Sequence, residues 1–281
     1  MIRLTNHQLT AEIAPKGAEI HYLSKTNGTN VLWSVDPIYW NRCAPILFPI
    51  VGKLKNDSYT WDNQKYNLTQ HGFARDHVFQ LVESTADKAV FLLRSSAETA
   101  QNYPFAFDLL VHYQLIENKL ITTYTIKNTG ENVLPFSIGG HPGFALHDAL
   151  ENYALQFPQA FSDQRHLIKE GLYTGETNEI HFSQTYPLKT SDFEQDAIVL
   201  KQPKFNQVTL LHKGNEVLTM QCEDWTAIGF WTKKNAPFFC IEPWWGWADK
   251  SDASGQLTEK EGLIWLSPQE QKSVSFTIEL H

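Results

Sequence analysis

From Phe105 onward every second residue is apolar: Phe105, Phe107, Leu109, Val111, Tyr113 and Leu115, with Asp108, His112 and Gln114 between them. A period of two puts all of these apolar side chains on one face of an extended chain, whereas a helical face repeats every 3.6 residues. Glu117-Asn118 turns the chain, and Leu120, Thr122, Tyr124 and Ile126 resume the alternation up to Asn128-Thr129-Gly130. This stretch therefore reads as a long hairpin.

The same logic predicts hairpins at 59–61 with 66–68 and at 208–212 with 217–222, and a last strand on Val274, Phe276, Ile278 and Leu280. Further strands are expected at 8–14, 18–24, 77–84, 89–95, 133–138, 227–232, 238–242 and 263–267. Helical pattern is scarce. Asp36-Pro37 reads as an N-cap and first helical residue of a helix that Pro45 limits to about two turns. Residues 97–103 suit another short turn. Aromatic residues make up 13% of the chain, and rings fit a pleated, half-buried surface. No linker, charge block or repeat divides the sequence, so the expectation is a single all-β domain over 1–281, a large antiparallel β-sandwich or barrel.

Charge and cysteine content narrow the partners. Lys and Arg number 23 against 31 Asp and Glu, a net charge of −8, so the Lys/Arg surplus that nucleic acid or an anionic membrane requires is missing. The polar start, Met-Ile-Arg-Leu-Thr-Asn-His-Gln, does not read as a signal peptide, and no apolar run reaches the ~18 residues of a spanning helix. Cys43, Cys222 and Cys240 form no CxxC and read as reduced, packed thiols in a cytoplasmic protein. Nothing in the sequence sets an oligomeric state.

Three segments stand out chemically. His71 lies in Gln70-His71-Gly72-Phe73-Ala74-Arg75-Asp76, and His141 in Gly139-Gly140-His141-Pro142-Gly143-Phe144. Glycines beside each imidazole allow sharp turns and close approach to a ligand, although a tight turn with an incidental histidine is the equal alternative. The third runs from a strand into Glu242-Pro243-Trp244-Trp245-Gly246-Trp247. A carboxyl in such apolar company is pushed towards the pKa range useful to a base at neutral pH. Neither His71/His77 nor His141/His147 has zinc-site spacing, so no metal is expected, and no GxSxG elbow, P-loop or GxGxxG occurs.

Taken together and in order, His71-Gly72-Phe73-Ala74-Arg75, Gly140-His141-Pro142-Gly143-Phe144 and Glu242-Pro243-Trp244 resemble the signature regions of the aldose 1-epimerases, or mutarotases, and more narrowly their LacX-type branch. The likeness extends from Ala14-Pro15-Lys16-Gly17-Ala18-Glu19-Ile20 to Leu266-Ser267-Pro268. It implies the galactose-mutarotase-like β-supersandwich and a cofactor-free isomerase that interconverts the α and β anomers of a small sugar. By motif matching Glu242 takes the place of the base, His141 of the acid and His71 of the histidine that steadies the sugar, while Asp196 resembles the family's substrate-binding aspartate. Arg42 and Arg75 are candidate partners for hydroxyls, and Trp40, Phe144, Trp244 and Trp245 candidate stacking faces.

Two departures matter. Gly143 stands where strict galactose mutarotases carry an aromatic residue, and Lys53 where they carry a binding arginine. The related hexose-6-phosphate 1-epimerases are therefore an alternative, with Arg42, Lys53 and Arg75 as a phosphate clamp. A non-catalytic carbohydrate-binding protein on the same scaffold is another. A glycosidase or lyase is a third, but it normally needs two carboxylates across the bond, and only Asp196 offers itself beside Glu242.

Overall fold

In a computed structural model that describes residues 1–26 and 28–281, the Phe105 alternation becomes the strand Phe107–Ile116, its residues alternately buried and half-exposed. It pairs with Lys119–Asn128, Leu115 facing Leu120 and Val111 facing Tyr124. Both belong to a nine-stranded antiparallel sheet. On one side this runs outward through Lys88–Arg94 to Gln80–Ser84. On the other it continues through Gln271–Leu280, Asn215–Gln221, Gln207–His212 and Tyr153–Gln156 to Thr185–Pro187.

A second antiparallel sheet carries the site. Its strands are β1 (Ile46–Leu47), β2 (Ile138–Gly140), β3 (Gly143–Ala145), β4 (Ile198–Lys201), β5 (Ala227–Trp231) and β6 (Phe238–Trp245), in the order β4-β5-β6-β2-β1, with β3 also paired to β6. The two sheets pack face to face: a β-carbon added at Gly140 of β2 would press on the Phe276 ring and the Tyr124 hydroxyl of the larger sheet. One continuous apolar cluster joins Leu109, Val111 and Tyr124 of the larger sheet to Ile46, Phe230 and Ile241 of the smaller. Each fully buried aromatic or aliphatic side chain in it stabilises the fold by roughly 1.5–3 kcal/mol. The architecture is an all-β antiparallel sandwich, and no helix among the described residues is long and apolar enough to cross a membrane.

Several local features differ from expectation, among them the short strands Ile2–Thr5, Tyr153–Gln156, Thr185–Pro187 and Ile198–Lys201, which the alternation does not announce. Residues 36–40 form one turn instead of a two-turn helix: the Asp36 carboxylate accepts the Ile38 N–H at 3.0 Å as an N-cap does and the Asp36 backbone carbonyl accepts the Tyr39 and Trp40 N–H groups, but the ladder stops there. The strands Phe161–Lys169 and Leu172–Phe182 pair as a long ribbon that periodicity did not predict. Few of their residues are buried, so neither face requires apolar alternation. The turn expected at 97–103 begins as the single helical turn Ala97–Ala100, capped reciprocally by Ser96 and Thr99.

Candidate active site

All eight residues of β6 are buried, because the strand is covered on both faces. Phe239, Ile241 and Trp245 point into the main core, while Phe238, Cys240 and Trp244 pack in two smaller clusters on the opposite side. Glu242 shares that second face by its alternate position. It is paired in register with Gly229 of β5 and is 2% exposed. His141 arrives from the end of β2, its backbone N–H bonded to the Pro45 carbonyl. The loop it leans on is fixed by Glu19, whose buried carboxylate accepts the N–H groups of Cys43 and Ala44, each at 2.8 Å.

His141 Nε2 and Glu242 Oε2 lie 3.1 Å apart. They are in contact without hydrogen-bond alignment, and Glu242 Oε2 has no hydrogen-bond partner. Burial, reinforced by the nearby Asp196 charge, holds the Glu242 carboxyl well above its ordinary range, and burial lowers His141 to about 3. Both shifts have the sense that desolvation dictates.

His71 completes the group, its ring edge-on to His141 with centroids 5.8 Å apart. Its Nδ1 accepts the Gly52 N–H at 3.1 Å, which leaves Nε2 as the protonated nitrogen, 3.2 Å from the Gln70 side-chain amide, which accepts from it with its oxygen turned to the ring. Burial and the neighbouring His141 and Arg75 keep His71 neutral by lowering its pKa. These groups open into a cavity of about 330 Å³, at the small end of the usual range for small-molecule sites. Trp40, Trp231, Tyr173 and Trp244 give it aromatic walls, and Gln70, Arg75, Asp196 and Lys233 supply polar groups.

The structure thus brings His71, Arg75, His141, Asp196, Glu242 and Trp244 to one hollow. Arg42, Lys53 and Phe144 do not line it. Arg42 is held by Asp76 at 2.7 Å, the Lys53 ammonium turns to the Glu170 carbonyl, and Phe144 is a buried core ring opposite Phe239. Trp231, Tyr173 and Lys233 line the cavity without having stood out in the sequence, for different reasons. Trp231 ends an ordinary alternating strand and Tyr173 lies in the unpredicted ribbon. Cys240, His141 and Glu242 place donor atoms within 4.8 Å of one another. The thiol, however, is sealed beneath the pair and its deprotonation is opposed by burial.

The all-β antiparallel sandwich is shared with galactose mutarotase-like proteins. The structure superposes on a galactose mutarotase related enzyme from Lactobacillus acidophilus with a TM-score of 0.94 and 32% identity, covering 100% of this chain and 97% of that one. A galactose mutarotase-like protein from Lactobacillus casei gives 0.94 at 28% identity, covering 100% of both chains. The plasmid LacX protein of Lactococcus lactis subsp. lactis is 30% identical over 293 aligned residues, 99% of this chain and 98% of its own length. The aldose 1-epimerase family model matches residues 1–278, and the chain belongs to that family.

Proposed function

We propose that this protein interconverts the α and β anomers of a hexose by acid–base opening and closing of the ring, with Glu242 and His141 as the exchanging pair. The observation that carries the reading is their 3.1 Å contact at the floor of the cavity. Glu242 takes the proton of the anomeric O1 hydroxyl while His141 gives one to the ring oxygen O5. The C1–O5 bond breaks, leaving an open-chain aldehyde free to turn about C1–C2. On reclosure His141 recovers the O5 proton and Glu242 returns one to O1.

The pair holds one proton throughout: the raised carboxyl and lowered imidazole keep it on Glu242 in the empty site, sugar binding shifts it to His141 for opening, and it is back on the carboxyl once the ring is open. That count suits burial, because a one-proton pair is net neutral in either form and leaves no uncompensated charge in the desolvated floor. His71, neutral and donating from Nε2, is placed to hold a sugar oxygen. Asp196 and Arg75 offer an acceptor and a donor fork for the remaining hydroxyls.

Of the three cations that would make a phosphate clamp, only Arg75 lines the cavity, while Arg42 and Lys53 are engaged elsewhere. This favours an unphosphorylated hexose over a hexose 6-phosphate. Polarimetry of freshly dissolved α-glucose, α-galactose and α-glucose 6-phosphate tests the reading. The expected result is accelerated approach to anomeric equilibrium for at least one free hexose. Binding of those sugars without acceleration would identify a carbohydrate-binding protein instead, and acceleration of the phosphorylated sugar alone would move the substrate class.

A further inference from the structure

The His141 ring lacks the usual device that fixes a catalytic imidazole. Its Nδ1 is buried without a hydrogen-bond partner, and its Nε2 touches Glu242 without alignment. An acid that must address O5 in one direction and recover the same proton in the other needs a defined ring plane.

Aromatic contacts supply what hydrogen bonds do not. The Trp40 indole is stacked on the imidazole, with centroids 4.7 Å apart and planes 30° apart. Trp231 meets the imidazole edge-on at 5.5 Å and 89°. Trp40 is itself fixed from three directions. Its other contacts are a stack on Phe238 at 5.3 Å and an edge contact with Trp231 at 5.6 Å, and its carbonyl accepts the Trp33 indole N–H at 3.0 Å. The fourth side is Gly143, where a β-carbon would stand 2.8 Å from Cζ3 of Trp40. The absence of a side chain at 143 is what lets the indole seat against His141.

We infer that Trp40 is the positioning residue for His141, seated by Gly143, and that its stacked face sets the imidazole plane and supports the ring while it carries the proton. An indole face attracts a cation, so the contact strengthens when the imidazole is charged. The inference rests on the acid role of His141 given above, and its test has a reading independent of turnover.

Imidazole ¹³C relaxation in wild type, Trp40→Phe and Trp40→Ala reads the order of the ring directly, the His141 signals being assigned by their loss in His141→Asn. A rigid ring is expected in wild type and Trp40→Phe, and a mobile one in Trp40→Ala. In turnover, a ring displaced by about 1 Å costs up to about 100-fold. Gly143→Ala, whose added methyl meets Trp40 first, at 2.8 Å, and then the Cys43 carbonyl and the Trp33 β-carbon, is expected to lower kcat by about tenfold with KM within about threefold. Gly143→Ala combined with Trp40→Phe, whose smaller ring vacates the contested space, is expected to recover the rate of Trp40→Phe alone. An imidazole as ordered in Trp40→Ala as in wild type, or a wild-type kcat in Gly143→Ala, would overturn the inference. Should wild type itself not turn over any sugar, the spectra still decide the positioning and the failure falls on the functional reading.

Discussion

The Lys260 ammonium lies 3.0 Å from Oδ1 of Asp249, and both side chains are almost wholly withdrawn from water. The same ammonium donates to the Trp247 carbonyl at 2.8 Å, and Oδ2 of Asp249 accepts the Lys55 N–H. The pair thereby cinches the segment that leaves β6 and carries Ala248 into the cavity wall. Breaking a buried pair strands one charge and costs about 3–5 kcal/mol. Lys260→Met is expected to lose stability of that order in urea unfolding, and Asp249→Asn in the Lys260→Met background to regain part of it.

Gly72 holds its backbone at φ +67, and a β-carbon there would run into the Phe48 carbonyl. Its neighbour His71 also has a positive φ, so the two residues form a bent step that aims the imidazole at His141. Gly72→Ala is expected to cost at least about 1–3 kcal/mol from the backbone alone. Sugar affinity should fall with it, as measured by KM for whichever hexose the wild type converts.

The pH dependence of stability carries a sign for each member of the pair. Glu242 binds its proton more tightly folded than unfolded, so its contribution is full below the unfolded value of about 4.3 and declines as pH rises through the raised folded value. His141 is lowered from 6.5 to about 3, so between those values the unfolded chain binds more protons and stability climbs with pH. Accordingly Glu242→Gln should gain on wild type as pH rises above about 4.3. His141→Asn should gain on wild type as pH falls from 6.5 towards 3. Urea titrations across pH 4–8 read both, and parallel curves for wild type and Glu242→Gln would contradict the burial argument.

Two arginines with the same sequence credentials are expected to behave differently. Arg75 lines the cavity with a buried Nε that makes no hydrogen bond, only a 3.9 Å ion contact with Asp76, so Arg75→Ala should raise KM by about tenfold or more, the worth of a charge-assisted hydrogen bond to a hydroxyl. Arg42 is paired with half-exposed Asp76 outside it, so Arg42→Ala should leave KM within about twofold and change stability by no more than about 1 kcal/mol. Steady-state kinetics on both variants separates them.

Period-two alternation made most of the nine-stranded sheet legible, as at Phe107–Ile116 and Gln271–Leu280 where one face is buried and the other wet, but not its short strands Tyr153–Gln156 and Thr185–Pro187. It also failed at Phe161–Lys169 and Leu172–Phe182, where only Phe161, Phe182 and Tyr173 are buried and most other positions are half-buried or exposed on both faces. Glu242 was legible because a carboxyl inside an apolar run has to be explained, and the two histidines because glycines flank them. Trp40 and Glu19 act through contacts with segments far away in the chain, and their seating beside Gly143 and the Cys43-Ala44 amides has no local pattern. Arg42, Lys53 and Phe144 show the converse: proximity in sequence to a motif does not turn a side chain towards the hollow.

The role of the His141–Glu242 contact is tested most directly by exchange NMR of the anomeric protons of an equilibrated hexose that the wild type converts. Wild type, Glu242→Gln and His141→Asn would be compared at equal concentration after confirming that each is folded. Each substitution is expected to slow α–β exchange by about 10²–10⁴-fold, the worth of a positioned acid or base. Exchange at the wild-type rate in both variants would contradict the assignment of this pair as the machinery of ring opening.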